Sequence, residues 1–366
     1  MLSGTTQQGT TQQGTAQRNI TEGSLLSDDR FLRKIAYMYY VDGQTQEDIA
    51  RMLYCSRQTI GKALQKAREC RIVHISVVPE ERTGYLRNLA RDLRYTLGLE
   101  DLVLVPGRPM DPAKPNEVIE DIVADIAATA ADYLDHLITN QDILAVSGGK
   151  TIMRNIVRYL KPSKMLSGLE VVPTIGFVET RPSIGDSNLV AYDIATAYGA
   201  KHAWLPIPAI VETQEQQCQA RALPLVRDVI QTMNKANVLM MGVWPSGPEN
   251  DLVARGVVSQ QQLESLQALK PVGDINHWVF DAEGNFINDR LTPPPYYLTG
   301  LEIPLLKERV QRERMKIILV AGANYACIPA IRALLKARIV NILVTDHITA
   351  EWLKQDQPIH SIDNIP

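Results

Sequence analysis

The chain has 366 residues, 45% hydrophobic and 22% charged, which are ordinary globular values and leave room for two domains. A net charge of -3 excludes a protein that is basic throughout, and no apolar run approaches the roughly 18 residues of a membrane span. The cysteines Cys55, Cys70, Cys218 and Cys327 show neither CxxC nor Cys/His spacing, so no zinc site or disulfide framework is expected. With no signal-peptide pattern at the N-terminus, the expectation is a cytoplasmic protein without a metal or cofactor.

Residues 1–24 repeat TTQQG from Thr5 to Gly14 and hold almost nothing apolar. They cannot bury enough surface to offset their ordering entropy, so a disordered tail is expected. Leu25 to Tyr40 reads as a helix with Phe31, Ile35, Met38 and Tyr39 as its apolar stripe and Asp28 and Asp29 near its start.

Residues 44–64, QTQEDIARMLYCSRQTIGKAL, read as a helix-turn-helix. Thr45 is placed to cap a short helix, with Asp48 at the capping-box position, and Ile49, Ala50 and Leu53 share one face. Tyr54-Cys55 makes the break. Ser56 caps a second helix with Arg57, Gln58, Thr59 and Lys62 outward and Ile60, Ala63 and Leu64 inward. Arg forks onto guanine, Gln onto adenine, and Thr touches a thymine methyl, whereas Lys62, Lys66 and Arg68 suit phosphates. Arg30 to Val78 carries about nine Lys/Arg against about four Asp/Glu, the local asymmetry of a small DNA-binding module. The expected DNA contacts are therefore Thr45, Gln46, Ser56, Arg57, Gln58, Thr59, Lys62 and Lys66. An ordinary helical hairpin with a basic solvated face is the plainer alternative. Tyr54 stands where many such turns carry Gly, because a left-handed backbone costs Gly least.

Arg71 to Pro79 alternates like a short strand or wing, with His74 a lone solvent-facing histidine. Tyr85 to Leu97 is an amphipathic helix read as a connector, or as a pairing element between two copies. The organisation expected is thus a tail at 1–24, a winged helix-turn-helix at 25–80, a linker helix at 81–99 and an effector domain at 100–366.

From Glu100 strands and helices alternate. DLVLVPG, DILAVSGG, GLEVVPTIG, VLMMGVW, HWVFD, MKIILVAGA and IVNILVT are strand candidates, which predicts an α/β domain with a largely parallel sheet covered by helices on both faces. Ligands of such sheets bind beyond the carboxyl ends of strands. Ser147-Gly148-Gly149-Lys150-Thr151 lies there, where two glycines and a helix N-terminus suit an anion. Tight packing alone would also explain those glycines, and the Walker A spacing is absent. Thr174 to Gly176, Gly242 to Pro248, Gly273-Asp274, Ala321 to Tyr325 and Asn188 are further positions facing such a crevice. No GxSxG, H-E-x-x-H or triad pattern occurs, which lowers the expectation of an enzyme.

Taken in order, IAYMYYVDGQTQEDIARMLYCSRQTIGKALQKARECRIVHISV, LAVSGGKTI, VVPTIG, PVGDINHWVFDAEGNF and IVNILVTDHITAEWL resemble the SorC family of sugar-binding bacterial transcriptional regulators. The resemblance runs from about Phe31 to Leu353. It implies a winged helix-turn-helix followed by an α/β effector domain similar to sugar-phosphate isomerases and deaminases that binds its ligand without turnover. It maps the effector contacts onto Ser147, Gly148, Gly149, Lys150, Thr151, Thr174, Asn188 and Asp274. It also implies homodimers or homotetramers on double-stranded operator DNA, and a sugar, polyol or sugar-phosphate effector. Where many members carry GGxxKxxAI, this chain reads Gly322 to Ile331 without the Lys, Ala326 or Cys327 standing in its place depending on a one-residue slip. Lys150, where the family often has Ser or Thr, is a candidate to supply the cation from the other side. The rivals are a phosphosugar isomerase or deaminase with an appended DNA-binding module, and an oligomeric scaffold whose basic hairpin binds protein.

Overall fold

The computed structural model describes residues 26–70, 72–73, 80–178, 185–245, 253 and 258–354. The expected tail and nearly all of the expected wing, with His74, lie outside the described residues. The chain divides into two compact units, Met1–Val78 and Pro79–Pro366.

Among the described residues of the first unit, three helices follow their capping residues. Asp28 accepts the Arg30 N–H and opens α1 (Asp29–Tyr40), Thr45 accepts the Asp48 N–H and opens α2 (Gln46–Met52), and Ser56 accepts the Thr59 N–H and opens α3 (Arg57–Glu69). Leu32, Ile35 and Ala36 of α1 close on Ile49 and Ala50 of α2 and on Ile60, Ala63, Leu64 and Ala67 of α3. Phe31, Met38 and Tyr39, expected as the stripe with Ile35, pack half-buried at the margin of that core, because Leu32 and Ala36 take its centre.

The second unit opens with α4 (Glu80–Thr96), the helix expected as a linker. Its Leu89 and Leu93 are buried in the same core as Leu102, Leu239 and Leu343, so it is a packed element of this unit. There follow β1 (Asp101–Val105), α5 (Glu120–Leu137), β2 (Ile143–Val146), α6 (Ile152–Tyr159), β3 (Glu170–Pro173), α7 (Ser187–Tyr198), β4 (Lys201–His202), β5 (Ile210–Val211), α8 (Gln214–Ala222), α9 (Pro224–Asn234) and β6 (Val238–Met241). The chain continues with β7 (Trp244–Pro245), α10 (Gln260–Gln267), β8 (Gly273–Ile275), β9 (Trp278–Phe280), β10 (Tyr297–Leu298), α11 (Leu306–Glu313), β11 (Lys316–Val320), α12 (Cys327–Ala337), β12 (Ile342–Asp346) and α13 (His347–Lys354).

Seven strands form one sheet in the order β1-β12-β11-β6-β2-β3-β4, every pair parallel. Side chains alternate across it, which is why its strands read as continuous apolar runs. Leu144, Val146, Met240 and Val320 face one core, with α5, α6 and α7, while Ala145, Leu239, Met241 and Leu319 face the other, with α4, α9 and α12. Two strand candidates divide differently from the expectation. VLMMGVW breaks after Met241, so that only β6 joins the large sheet, and HWVFD supplies β9 of a separate antiparallel sheet, β7-β8-β9.

Candidate functional site

The order of the large sheet fixes where a crevice opens. From β2 the chain proceeds outward through β3 and β4, then returns to β6 on the other side of β2 and proceeds through β11 and β12. The connections thus leave in opposite directions at the β2/β6 boundary, the place where α/β sheets bind ligands. A cavity of about 470 Å³ lies there, within the range of small-molecule sites. Its wall includes the segments leaving β2, β3, β6 and β11, together with β8 and the turn after it. Ser147 ties two of these segments, its hydroxyl accepting the Gly242 N–H at 3.2 Å while its own N–H donates to Met240 O at 3.0 Å.

Ser147, Gly148, Gly149, Lys150, Thr151 and Asp274 all line this cavity. The glycines are demanded first by the protein itself. A Cβ on Gly148 would sit 2.6 Å from Gly185 O, and the Gly149 N–H already donates to that same carbonyl at 2.8 Å. Tight packing therefore accounts for Gly148 without a ligand, while Lys150 and Thr151 sit on the wall beside it. Lys150 is the only Lys or Arg among the described lining residues.

Thr174 and Asn188 lie behind the wall instead of in it, which corrects their expected place. Thr174 Oγ1 donates to Val146 O at 3.1 Å, and Ser187 Oγ donates to the same oxygen at 2.8 Å. Asn188 Oδ1 accepts the Leu205 N–H at 2.7 Å. These bonds brace the end of β2 and the backbone at Leu205, a task that a spacing argument does not separate from ligand contact.

Asp274 sits in β8 on the cavity wall, where burial pushes its carboxyl up to about 7 against a single opposing hydrogen bond, from the His277 N–H. Asn276 and His277 also line the cavity, as do Gln267 and Asn116, none of which the sequence marks, and so does Trp244 within the marked stretch Gly242 to Pro248. The sequence carries only a weak signal for the first two, since Asn suits the first position of a two-residue hairpin while His is not among the residues favoured at the second. At the segment lacking the family's Lys, Cys327 lines the cavity while Ala326 does not. Burial, aided by the Asp346 carboxylate, pushes the Cys327 thiol up to about 12, so a neutral sulfhydryl occupies that part of the wall. Among the described residues no His/Cys/Asp/Glu group is placed to hold a metal ion.

On the first unit, Arg57, Gln58, Lys62 and Lys66 are exposed along α3, with Ser56 and Thr45 exposed at the two caps and Gln46 half-buried near Gly61. Thr59 is the exception. It is only 6% exposed and turns its hydroxyl to Ser56 Oγ at 2.8 Å, because it falls beside Ile60 and Ala63 on the packed side of α3. It cannot reach a base without unpacking the helix. Tyr54 does take the left-handed conformation, with φ +52°, and its side chain is 96% exposed.

Residues 82–353 match the family model described as "Putative sugar-binding domain". The chain belongs to that sugar-binding domain family. Beyond the domain, it is 28% identical over 332 residues to the deoxyribonucleoside regulator of Bacillus subtilis, covering 88% of this chain and 96% of that one. It is 25% identical over 336 residues to the transcriptional regulator YjhU of Escherichia coli, covering 91% and 96%. The full-length sorbitol operon regulator SorC of Klebsiella pneumoniae superposes with a TM-score of 0.63 at 24% identity, over 90% of this chain and all of that one. This likeness supports the fold of the sugar-binding domain, and the SorC-type resemblance seen in the sequence extends along the chain.

Proposed function

We propose that this protein is a ligand-responsive transcriptional regulator: the first unit binds double-stranded operator DNA and the sugar-binding domain takes a sugar, polyol or sugar-phosphate effector. The single observation that carries it is one chain holding both a capped helix-turn-helix with a basic exposed α3 and a cavity at the β2/β6 switch point of a sugar-binding fold. The relatives at similar length being regulators supports a ligand that leaves the cavity unchanged, in a cytoplasmic protein acting as a homodimer or homotetramer on paired half-sites. In this reading a winged module at 25–80 reads DNA and 100–366 senses the effector, joined through 81–99.

The mechanism is linkage. An effector changes DNA affinity only by the difference in its affinity for the two conformations. Lys150 supplies the cationic end of the cavity that Cys327 does not, so Lys150→Ala should weaken any anionic effector. The test is binding of the full-length protein to duplex DNA from upstream of its own gene, across salt, with and without a panel of sugars, polyols and their phosphates. Affinity falling steeply with salt, and a panel member shifting it, supports the reading. Salt-independent DNA binding, or turnover of a panel member, would refute it.

A further inference from the structure

β8 and β9 pair through Ile275 and Trp278, which leaves a two-residue connection, Asn276-His277, with φ +50° and +65°. Both central residues in the left-handed region is the type I′ hairpin, for which Asn-Gly is the favoured pair. Asn meets that preference and His does not, since a side chain at the second position strains the backbone where Gly would not. The strain is held from behind. Tyr296 Oη donates to His277 O at 2.8 Å, Asn288 Nδ2 donates to the same oxygen at 3.2 Å, and the His277 N–H donates to Asp274. Asn276 and His277 both line the cavity. Asn276 Nδ2 is buried with no hydrogen-bond partner. A buried amide donor left unpaired costs free energy and calls for an acceptor.

We propose that the Asn276-His277 turn is a hydroxyl-reading pole of the cavity, facing a pair of neighbouring hydroxyls on a sugar or polyol. A hydroxyl both donates and accepts, and here Asp274 offers the acceptor and Asn276 the donor. His277 stands beside them and sets the size and shape of what fits. The turn thus trades backbone ease for side-chain chemistry at the ligand, opposite in character to the glycine turn at Gly148-Gly149, whose residues give way to packing. This inference rests on the reading of the cavity as the effector site.

The test uses the full-length protein and calorimetric titration with free pentoses, hexoses and their polyols, the corresponding monophosphates, and inorganic phosphate. Asn276→Asp keeps a residue that tolerates the left-handed backbone but replaces the donor with an acceptor. His277→Gly creates the favoured turn pair and removes the imidazole. The expected result is at least a tenfold loss for the tightest hydroxylated probe in Asn276→Asp, with the response to inorganic phosphate within twofold of wild type. His277→Gly should raise the melting temperature of the free protein and weaken the same probe. Both variants binding that probe within twofold of wild type overturns the proposal. If the wild type binds the panel and only Lys150→Ala loses it, the turn proposal falls and the effector reading stands. If the wild type binds no member, the effector reading fails and the turn proposal with it.

Discussion

The two regions that would meet other molecules are built in opposite ways. The surface proposed to face DNA comes from one stretch, with Thr45 and Ser56 as caps and Arg57, Gln58, Lys62 and Lys66 as outward positions of a single hairpin. The cavity draws on segments as far apart as Ser147 and Cys327, brought together by strand order alone. Both contain non-glycine residues in left-handed backbone, Tyr54 in one and Asn276-His277 in the other. Around Tyr54 the bonds are local backbone ones, from Tyr54 N–H to Arg51 O at 3.4 Å and from Cys55 N–H to Ala50 O at 3.1 Å. Around His277 side chains distant in sequence hold the turn. A contiguous surface can therefore be altered one contact at a time, whereas the cavity answers to substitutions in its scaffold.

The largest effect should come from the small core of the first unit. Ile60 is fully buried, and Ile60→Ala should cost about 2–5 kcal/mol, enough to unfold a three-helix module. DNA binding should vanish while the sugar-binding domain keeps its own calorimetric transition; loss of both transitions together would break the distinction between the units. Next in size is Arg57→Ala, expected to lose about 1–3 kcal/mol of discrimination between an operator and a scrambled duplex, against near-uniform weakening for Lys66→Ala. Lys66 also pairs with Glu69 at 3.2 Å, so part of its charge is already engaged. Equal discrimination by wild type and Arg57→Ala in competition binding would remove Arg57 from base recognition.

A third prediction concerns the cavity. Burial raises the Asp274 carboxyl from its ordinary value near 4 to about 7, so between those values the folded chain holds a proton that the unfolded chain releases. The group's contribution is thus fully present below about pH 4 and is lost as pH rises through about 7. Asp274→Asn should gain melting temperature over wild type progressively across that interval and hold a constant gain above it. A difference that does not vary with pH would show that Asp274 titrates normally. The smallest effect should be Tyr54→Gly, which relieves a left-handed aromatic residue but adds chain entropy to the unfolded state, for a net gain of about 1 kcal/mol or less by chemical denaturation. A loss of stability would mean that the exposed ring makes a contact worth more than the strain.

Much of this was legible from the sequence because its causes are local. The caps at Thr45 and Ser56, the left-handed Tyr54, and the apolar runs of six of the seven sheet strands follow from hydrogen bonds and side-chain periods within a few residues; β4, a polar and exposed Lys-His pair, carries no such run. Where exposure depends on angular position alone, the sequence misplaces one residue: it predicts Thr59 outward, yet α3 turns it to the packed side with Ile60 and Ala63. Thr174 and Asn188 lay in the right neighbourhood, but their side chains were already committed to Val146 O and the Leu205 N–H, partners that no spacing names.

By itself, then, the sequence determined the helix-turn-helix, the parallel α/β class and the glycine turn after β2, since propensity, capping and alternation act over one element at a time. The tertiary structure alone decided that Lys150, Asp274, Asn276, His277 and Cys327 surround one cavity, and that Gly148 is small to clear Gly185 O. The reason is physical. A cavity wall is fixed by which strands neighbour one another, and neighbours such as β2 and β6 are joined by hydrogen bonds between residues about ninety positions apart.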